Sequence, residues 1–164
     1  MPRIIVGAWT LDLIFAAPPT GTPPSSQLVK TLDDPPTLLL VDDEPAIRAT
    51  LADALMDAGY ALLESGSGKE AVAELDAGTD ISGLITDIRL GAGLSGWDVA
   101  RHARDLRPRI AVVYMTGDSA ADWPSEGVPN SVVVQKPFAV GQIVTAMSIL
   151  LNAIALLPPL PAAD

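Results

Sequence analysis

Cysteine is absent from this 164-residue sequence, and histidine occurs once, as His102. Without cysteine the chain has no disulfide scaffold, no thiolate nucleophile and no thiolate ligand for zinc. His102 lies between Arg101 and Arg104, and we interpret it as a surface residue rather than as a phosphodonor. The lack of cysteine is compatible with the cytoplasm, which is where we expect this protein.

Basic residues are scarce as well, because 10 Lys and Arg stand against 20 Asp and Glu, a formal net charge of −10. Such a charge makes nucleic acid and anionic membranes poor partners. No apolar run reaches the roughly 18 residues of a membrane-spanning helix. Residues 4–17 are fairly apolar, but Asp12 interrupts them and a Pro-rich flank follows, so we do not expect a signal peptide. The sequence predicts partners other than nucleic acid or a membrane.

Proline is unevenly distributed, with seven prolines among the first 36 residues. We predict a flexible, Pro-rich N-terminal arm over residues 1–36 and a Pro-rich C-terminal tail over residues 158–164. Between them, residues 37–157 are long enough for one domain with a substantial core.

Short apolar runs alternate with helical periodicity across this domain. The pattern predicts strands at 37–41, 60–64, 82–86, 110–115 and 131–134. It predicts helices at 45–58, 68–77, 97–107 and 138–156. Residues 119–129 are poor in apolar side chains, and we expect a loop there, or a short helix that ends before Pro124. Five strands alternating with helices predict an α/β fold with a doubly wound parallel sheet and right-handed crossovers.

The last predicted helix is apolar on more than one face. One face suits packing against the sheet. The other face would contact a second protomer, a kinase or residues 4–15 of the arm, and the sequence leaves these three options open.

Polar side chains stand where four of the predicted strands end. Asp42 and Asp43 follow the first strand, Asp87 the third, Thr116 the fourth and Lys136 the fifth. In open α/β sheets, ligands bind beyond the carboxyl ends of the strands. Carboxylates suit Mg²⁺, a lysine and a hydroxyl suit a phosphoryl group, and a free aspartate can serve as a nucleophile. The sequence therefore predicts a site for a divalent cation and a phosphoryl group.

Four motifs around these residues resemble those of the receiver domain of two-component response regulators. They are Val-Asp-Asp-Glu-Pro at 41–45, Thr-Asp-Ile-Arg-Leu at 86–90, Met-Thr-Gly at 115–117 and Gln-Lys-Pro-Phe at 135–138. The resemblance covers about three quarters of the chain. It implies a flavodoxin-like, five-stranded sheet in the order 2-1-3-4-5, here with a short or missing fourth helix.

The resemblance also implies a role for each site residue. Asp87 would accept a phosphoryl group from a phosphohistidine of a sensor histidine kinase or of a histidine phosphotransfer protein. Thr116 and Lys136 would contact the phosphoryl group. The Mg²⁺ ligands would be Asp42, Asp43, Asp87 and the main-chain carbonyl of Arg89. Pro137 is a candidate for a cis peptide bond.

Three features depart from the family pattern. Leu90 and Gly91 stand where Met-Pro is common, and Gly96, which resembles the loop-closing glycine, comes one residue late. Val133 replaces an aromatic residue whose ring moves with the switch threonine in many relatives. We therefore do not expect an aromatic switch at residue 133.

Two charged residues flank the mouth of the implied site. Arg89 lies two residues after Asp87, and Asp118 lies two residues after Thr116. We expect these two side chains to pair, and the pair would shield the phosphoryl group or hold the loop closed.

The implied function is that of a single-domain signalling module rather than of an enzyme. Phosphorylation would change partner binding or pass phosphate onward, and a homodimer stays open. One alternative is a metal-dependent phosphohydrolase with an aspartyl nucleophile, but Asp42-Asp43 does not match the usual DxD pattern. Another alternative is a degenerate receiver that serves as a binding scaffold. The complete set of acids, hydroxyl and lysine argues against it.

Overall fold

Five parallel strands form one sheet in the computed structural model of the chain, which describes residues 34–161. The strands are β1 (Thr37–Val41), β2 (Ala61–Ser65), β3 (Ile81–Asp87), β4 (Ala111–Thr116) and β5 (Val132–Gln135). Their order across the sheet is β2-β1-β3-β4-β5, and all four pairings are parallel. This confirms the predicted fold class and strand order.

Helices connect the strands and follow the last of them. They are α1 (Pro45–Asp57), α2 (Gly68–Asp76), α3 (Gly96–Leu106), α4 (Trp123–Glu126) and α5 (Val140–Ala155), with a 3₁₀ turn at Ala120–Asp122. Each predicted helix and strand is present, with ends shifted by at most two residues. α5 begins at residue 140 rather than 138, because Ala139 is still extended and its N–H bonds to Gln142 Oε1 at 2.8 Å.

The fourth helix is a single turn, as predicted, but its position relative to Pro124 was predicted wrongly. The helix contains Pro124 in its first turn instead of ending before it. Proline is tolerated there because the first amide groups of a helix have no intrahelical acceptor. The segment between β4 and β5 thus carries only four α-helical residues among those the structure describes.

Both faces of the sheet are covered, which is why β1 is a continuous apolar run rather than an alternating one. Leu39 and Val41 pack on the side of α2 and α3, and Leu38 and Leu40 pack on the side of α1 and α5. All four side chains are fully buried, and each contributes about 1.5–3 kcal/mol relative to exposure. This packing holds the carboxyl ends of the strands at one edge of the sheet.

Helix α5 has a buried face and an exposed one. Ile143 and Met147 are fully buried against the sheet, whereas Ile149 is exposed, as are Leu156 and Leu157 directly after the helix. What contacts the exposed face stays a prediction.

The predictions for residues 1–33, including the absence of a signal peptide and the contact of residues 4–15 with α5, lie outside the described residues. So do residues 162–164 of the predicted tail, and the domain boundaries stay a prediction. No helix among residues 34–161 is both long and apolar enough to cross a membrane.

Candidate functional site

Four carboxylates converge at the carboxyl edge of the sheet. Asp42, Asp43 and Glu44 fill the connection between β1 and α1, and Asp87 ends the neighbouring strand β3. One oxygen from each lies within 4.8 Å of the others. Asp42 and Asp87 are buried, whereas Asp43 and Glu44 are exposed. The structure therefore brings together the three predicted acids and adds a fourth.

Asp42 is the most constrained of these acids. Its Oδ1 accepts a 2.8 Å hydrogen bond from the N–H of Glu44, while its Oδ2 is buried without a hydrogen-bond partner. Burial raises the pKa of Asp42, the Glu44 N–H and Lys136 lower it, and repulsion from Asp87 and Asp43 raises it further, so the net pKa lies above its usual value. The negative charge on Asp42 is thus only partly compensated by the protein.

Lys136 supplies the ammonium group in contact with this cluster. Its Nζ lies 2.8 Å from Asp87 Oδ2, 3.7 Å from Asp42 Oδ2 and 3.9 Å from Glu44 Oε1. Burial lowers the pKa of Lys136, but attraction to these three carboxylates raises it by more, so the ammonium stays charged. The peptide bond from Lys136 to Pro137 is cis, as predicted.

The loop after Asp87 is closed by a glycine in close contact with the strand end. The N–H of Gly96 donates to the carbonyl of Ile88 at 2.8 Å. A Cβ atom at residue 96 would lie 2.2 Å from the main-chain oxygen of Asp87, so a side chain does not fit there. The N–H of Arg89 donates to Asp87 Oδ1 at 3.1 Å. The Arg89 N–H thus holds one oxygen of the Asp87 carboxylate, and the close approach of Gly96 holds the main chain beside it.

Thr116 ends β4 and is buried. Its Oγ1 accepts hydrogen bonds from the N–H groups of Asp118 at 3.2 Å and Ser119 at 2.7 Å. Its carbonyl accepts a 2.7 Å bond from the N–H of Lys136, which joins the ends of β4 and β5. Thr116 therefore lies at the predicted strand end with its hydroxyl oxygen bound to its own loop, and its contact with a phosphoryl group stays a prediction.

Arg89 and Asp118 form the expected pair. A terminal guanidinium nitrogen of Arg89 lies 2.7 Å from Asp118 Oδ2, and both side chains are more than half exposed. The pair bridges the loops that follow β3 and β4. Whether it affects the phosphoryl group stays a prediction.

An aromatic ring does occur beside residue 133, but it belongs to β4. Val133 pairs with Tyr114 across the sheet. The Tyr114 ring is fully buried, lies 4.5 Å from the ring of Trp97, and its hydroxyl oxygen accepts a bond from the N–H of Val128. Its neighbours fix this ring inside the core.

The acid cluster is suited to a hard divalent cation. Among the residues that the structure describes, it combines four carboxylates, the ammonium group of Lys136 and one buried carboxylate oxygen without a hydrogen-bond partner. Mg²⁺ prefers such oxygen ligands and commonly takes one or two carboxylates. The residues present therefore fit Mg²⁺.

Two residues at this site were missed by the sequence interpretation. Glu44 contributes to the acid cluster, and its position directly after the acid pair was the available signal. Arg48 donates to the main-chain oxygen of Asp42 at 2.7 Å. Nothing in the residue pattern alone indicates that contact, which depends on how α1 leaves the sheet.

Comparison with known proteins identifies the family. The family model described as the response regulator receiver domain matches residues 38–148. This chain belongs to the response regulator receiver family. The recognition made from the four motifs is thereby confirmed.

Individual relatives agree with this assignment. The crystal structure of a response regulator receiver protein from Sinorhizobium medicae WSM419 is 41% identical, with a TM-score of 0.72, and the match covers 74% of this chain and 98% of that one. The response regulator receiver protein CpdR of Brucella abortus is 30% identical over 118 residues, 71% of this chain and 97% of CpdR.

A longer relative matches over only part of its length. The transcriptional regulatory protein TcrA of Mycobacterium tuberculosis is 30% identical over 108 residues, which are 65% of this chain and 42% of TcrA. The chain thus spans less than half of that relative. The similarity is to a receiver domain, a signalling module, and not to the whole of such a regulator.

Proposed function

We propose that this receiver domain takes a phosphoryl group onto Asp87 from the phosphohistidine of a sensor histidine kinase or of a histidine phosphotransfer protein. The observation that carries the proposal is the environment of Asp87. Its carboxylate is nearly buried at the end of β3, held by the N–H of Arg89 on one oxygen and by the ammonium of Lys136 on the other.

The reaction transfers the phosphoryl group between two residues. An oxygen of Asp87 forms the new bond to phosphorus as the phosphorus–nitrogen bond breaks, and the imidazole leaves with the electron pair of that bond. Lys136 lies 2.8 Å from Asp87 Oδ2, where its charge offsets the negative charge of the incoming group. The Thr116 hydroxyl, whose oxygen accepts from two backbone N–H groups, would donate its O–H to the transferred group.

Magnesium belongs to this proposal because the acid cluster fits it. Asp42, Asp43, Asp87 and the main-chain carbonyl of Arg89 would hold the ion, and Glu44 lies in the same cluster. When bound, Mg²⁺ would neutralise charge on the phosphoryl oxygens. Asp42 Oδ2 supports the assignment, because a buried carboxylate oxygen without a hydrogen-bond partner is unfavourable.

The downstream effect we propose is a change in partner binding. Membership of the receiver family supports a histidine kinase as the phosphate source, and a kinase supplied with cellular ATP is consistent with a cytoplasmic protein. The net charge of −10 argues against nucleic acid as the partner. The exposed Ile149 of α5, with Leu156 and Leu157 directly after the helix, leaves a homodimer open.

Intact-mass spectrometry tests the proposal directly. Incubation with acetyl phosphate and Mg²⁺ should give one phosphoryl adduct, which Asp87→Asn and excess EDTA should each abolish. Asp105→Asn is the matched control, because Asp105 is an exposed acid near the end of α3, away from the cluster. An adduct that survives in Asp87→Asn, or none in the wild type, would contradict the proposal. Steady turnover of a phosphoester would instead favour the phosphohydrolase.

A further inference from the structure

Arg48 contacts the main chain of Asp42 at the end of β1. It is the fourth residue of α1, and its N–H donates to the carbonyl of Glu44 at 3.0 Å. Its side chain turns back towards the sheet, where a terminal nitrogen donates to the main-chain oxygen of Asp42 at 2.7 Å. Its Nε lies 3.4 Å from Glu64 Oε2 on β2. One guanidinium therefore joins α1 to the ends of β1 and β2.

Hydrogen bonds hold the N–H, the carbonyl and one carboxylate oxygen of Asp42. Its N–H donates to the carbonyl of Ser65, its carbonyl accepts from Arg48, and its Oδ1 accepts from the N–H of Glu44. Only Oδ2 has no hydrogen-bond partner, and it lies 3.7 Å from the Lys136 ammonium. Each of these bonds limits rotation of the Asp42 backbone or side chain, and so fixes where Oδ2 lies.

We propose that Arg48 is a positioning residue that sets the affinity of the acid cluster for a divalent cation. It acts through the main chain of Asp42 and does not contact the cation. The inference rests on the proposed function, because it takes Mg²⁺ as the ion of the cluster. Groups that orient metal ligands from behind typically change metal affinity about 10–100-fold when they are lost.

The charge of Arg48 and its positioning contacts predict opposite effects on cation binding when the side chain is removed. Arg48 carries a positive charge, so its removal on electrostatic grounds alone should strengthen the binding of a cation. Removal of a positioning residue should weaken that binding, because Asp42 would lose the bond to its carbonyl. The direction of the change therefore separates the two roles.

The experiment is a calorimetric titration of the full chain with Mg²⁺ alone, without any phosphodonor. Arg48→Met should bind Mg²⁺ about tenfold more weakly than the wild type. Arg48→Lys retains the charge and one donor, and it should recover most of the affinity. Arg104→Met is the matched control, since the Arg104 side chain, in the last turn of α3, also donates to main-chain carbonyls, those of Ile110 and Pro129. The Arg104→Met variant should be less stable to unfolding but should bind Mg²⁺ with wild-type affinity.

Each outcome decides the question. Unchanged or tighter Mg²⁺ binding by a folded Arg48→Met variant would overturn the inference, as would an equal loss of affinity in Arg104→Met. If Arg48→Met does not fold, Arg48→Gln compared with Arg104→Gln decides by the same criteria. A wild type that binds no Mg²⁺ at all would contradict the proposed function itself, which is a different failure from that of Arg48.

Discussion

Gly96 tests how the loop that follows Asp87, the acceptor loop, is built. A Cβ atom at this residue would lie 2.2 Å from the carbonyl oxygen of Asp87 and 2.9 Å from both the carbonyl carbon of Asp87 and the Cα of Ile88. All three are backbone atoms, so no side-chain rotation can relieve the overlap. Gly96→Ala must therefore move the start of α3 or the end of β3.

The magnitude follows from two opposing effects. Overpacking of this kind costs about 1–3 kcal/mol, and displacement of α3 would also weaken the 2.8 Å bond from the N–H of Gly96 to Ile88, worth about 1 kcal/mol. A gain of at most about 1 kcal/mol comes from replacing a helical glycine by alanine. We therefore expect a net loss of about 1–3 kcal/mol in the free energy of unfolding.

Urea denaturation and phosphorylation by acetyl phosphate together measure this change. Gly96→Ala should lower the urea midpoint and slow formation of the Asp87 adduct, because the contact is to the acceptor residue itself. Gly141→Ala is the control, since Gly141 also lies in the first turn of a helix, α5, where an added Cβ meets nothing within 4 Å. It should be neutral or slightly stabilising. A Gly96→Ala variant with wild-type stability and wild-type phosphorylation would refute the reasoning.

Three further predictions concern the same site. Lys136→Met should slow phosphorylation of Asp87 at least about tenfold, the order expected when a group that neutralises developing charge is lost; a wild-type rate would contradict its role. Asp42→Asn should raise the urea midpoint in EDTA, because burial raises the pKa of Asp42 and makes its charged form unfavourable at neutral pH. The same variant should bind Mg²⁺ more weakly in calorimetry. A lower urea midpoint would contradict the unfavourable effect of the buried charge. Arg89→Ala and Asp118→Ala should each change the lifetime of the aspartyl phosphate but hardly the stability, because so exposed a pair contributes about 0–1 kcal/mol. Unchanged lifetimes in both variants would refute a shielding role.

The strand ends could be predicted from the sequence because their signal is local. A parallel strand buried on both faces is a continuous apolar run, and the polar residue that ends it lies at a known edge of the sheet. That reasoning places Asp42, Asp87, Thr116 and Lys136 without any knowledge of packing. The pairing of Arg89 with Asp118 was expected instead from the resemblance to the receiver family, in which these two positions flank the mouth of the site.

The contacts that the sequence did not predict depend on how closely the helices and strands approach one another. The contact of Gly96 with Asp87 is set by the angle at which α3 leaves its loop, and no residue pattern encodes that angle. The bond from Arg48 to Asp42 likewise requires a long side chain to turn back from α1 to the sheet. Pro124 was assigned to the wrong side of a helix boundary, because one proline is compatible with both the start of a helix and the residue after its end.

The segment between β4 and β5 is fixed to α3 rather than forming a full helix of its own. Arg101 bonds to Glu126 and Arg104 to the carbonyl of Pro129. These side chains extend from the same helix whose first residue contacts the carbonyl of Asp87. Through α3, these contacts join the segment between β4 and β5 to the loop that follows Asp87. A shift of the acceptor loop that moves α3 therefore also moves the groups that hold the segment.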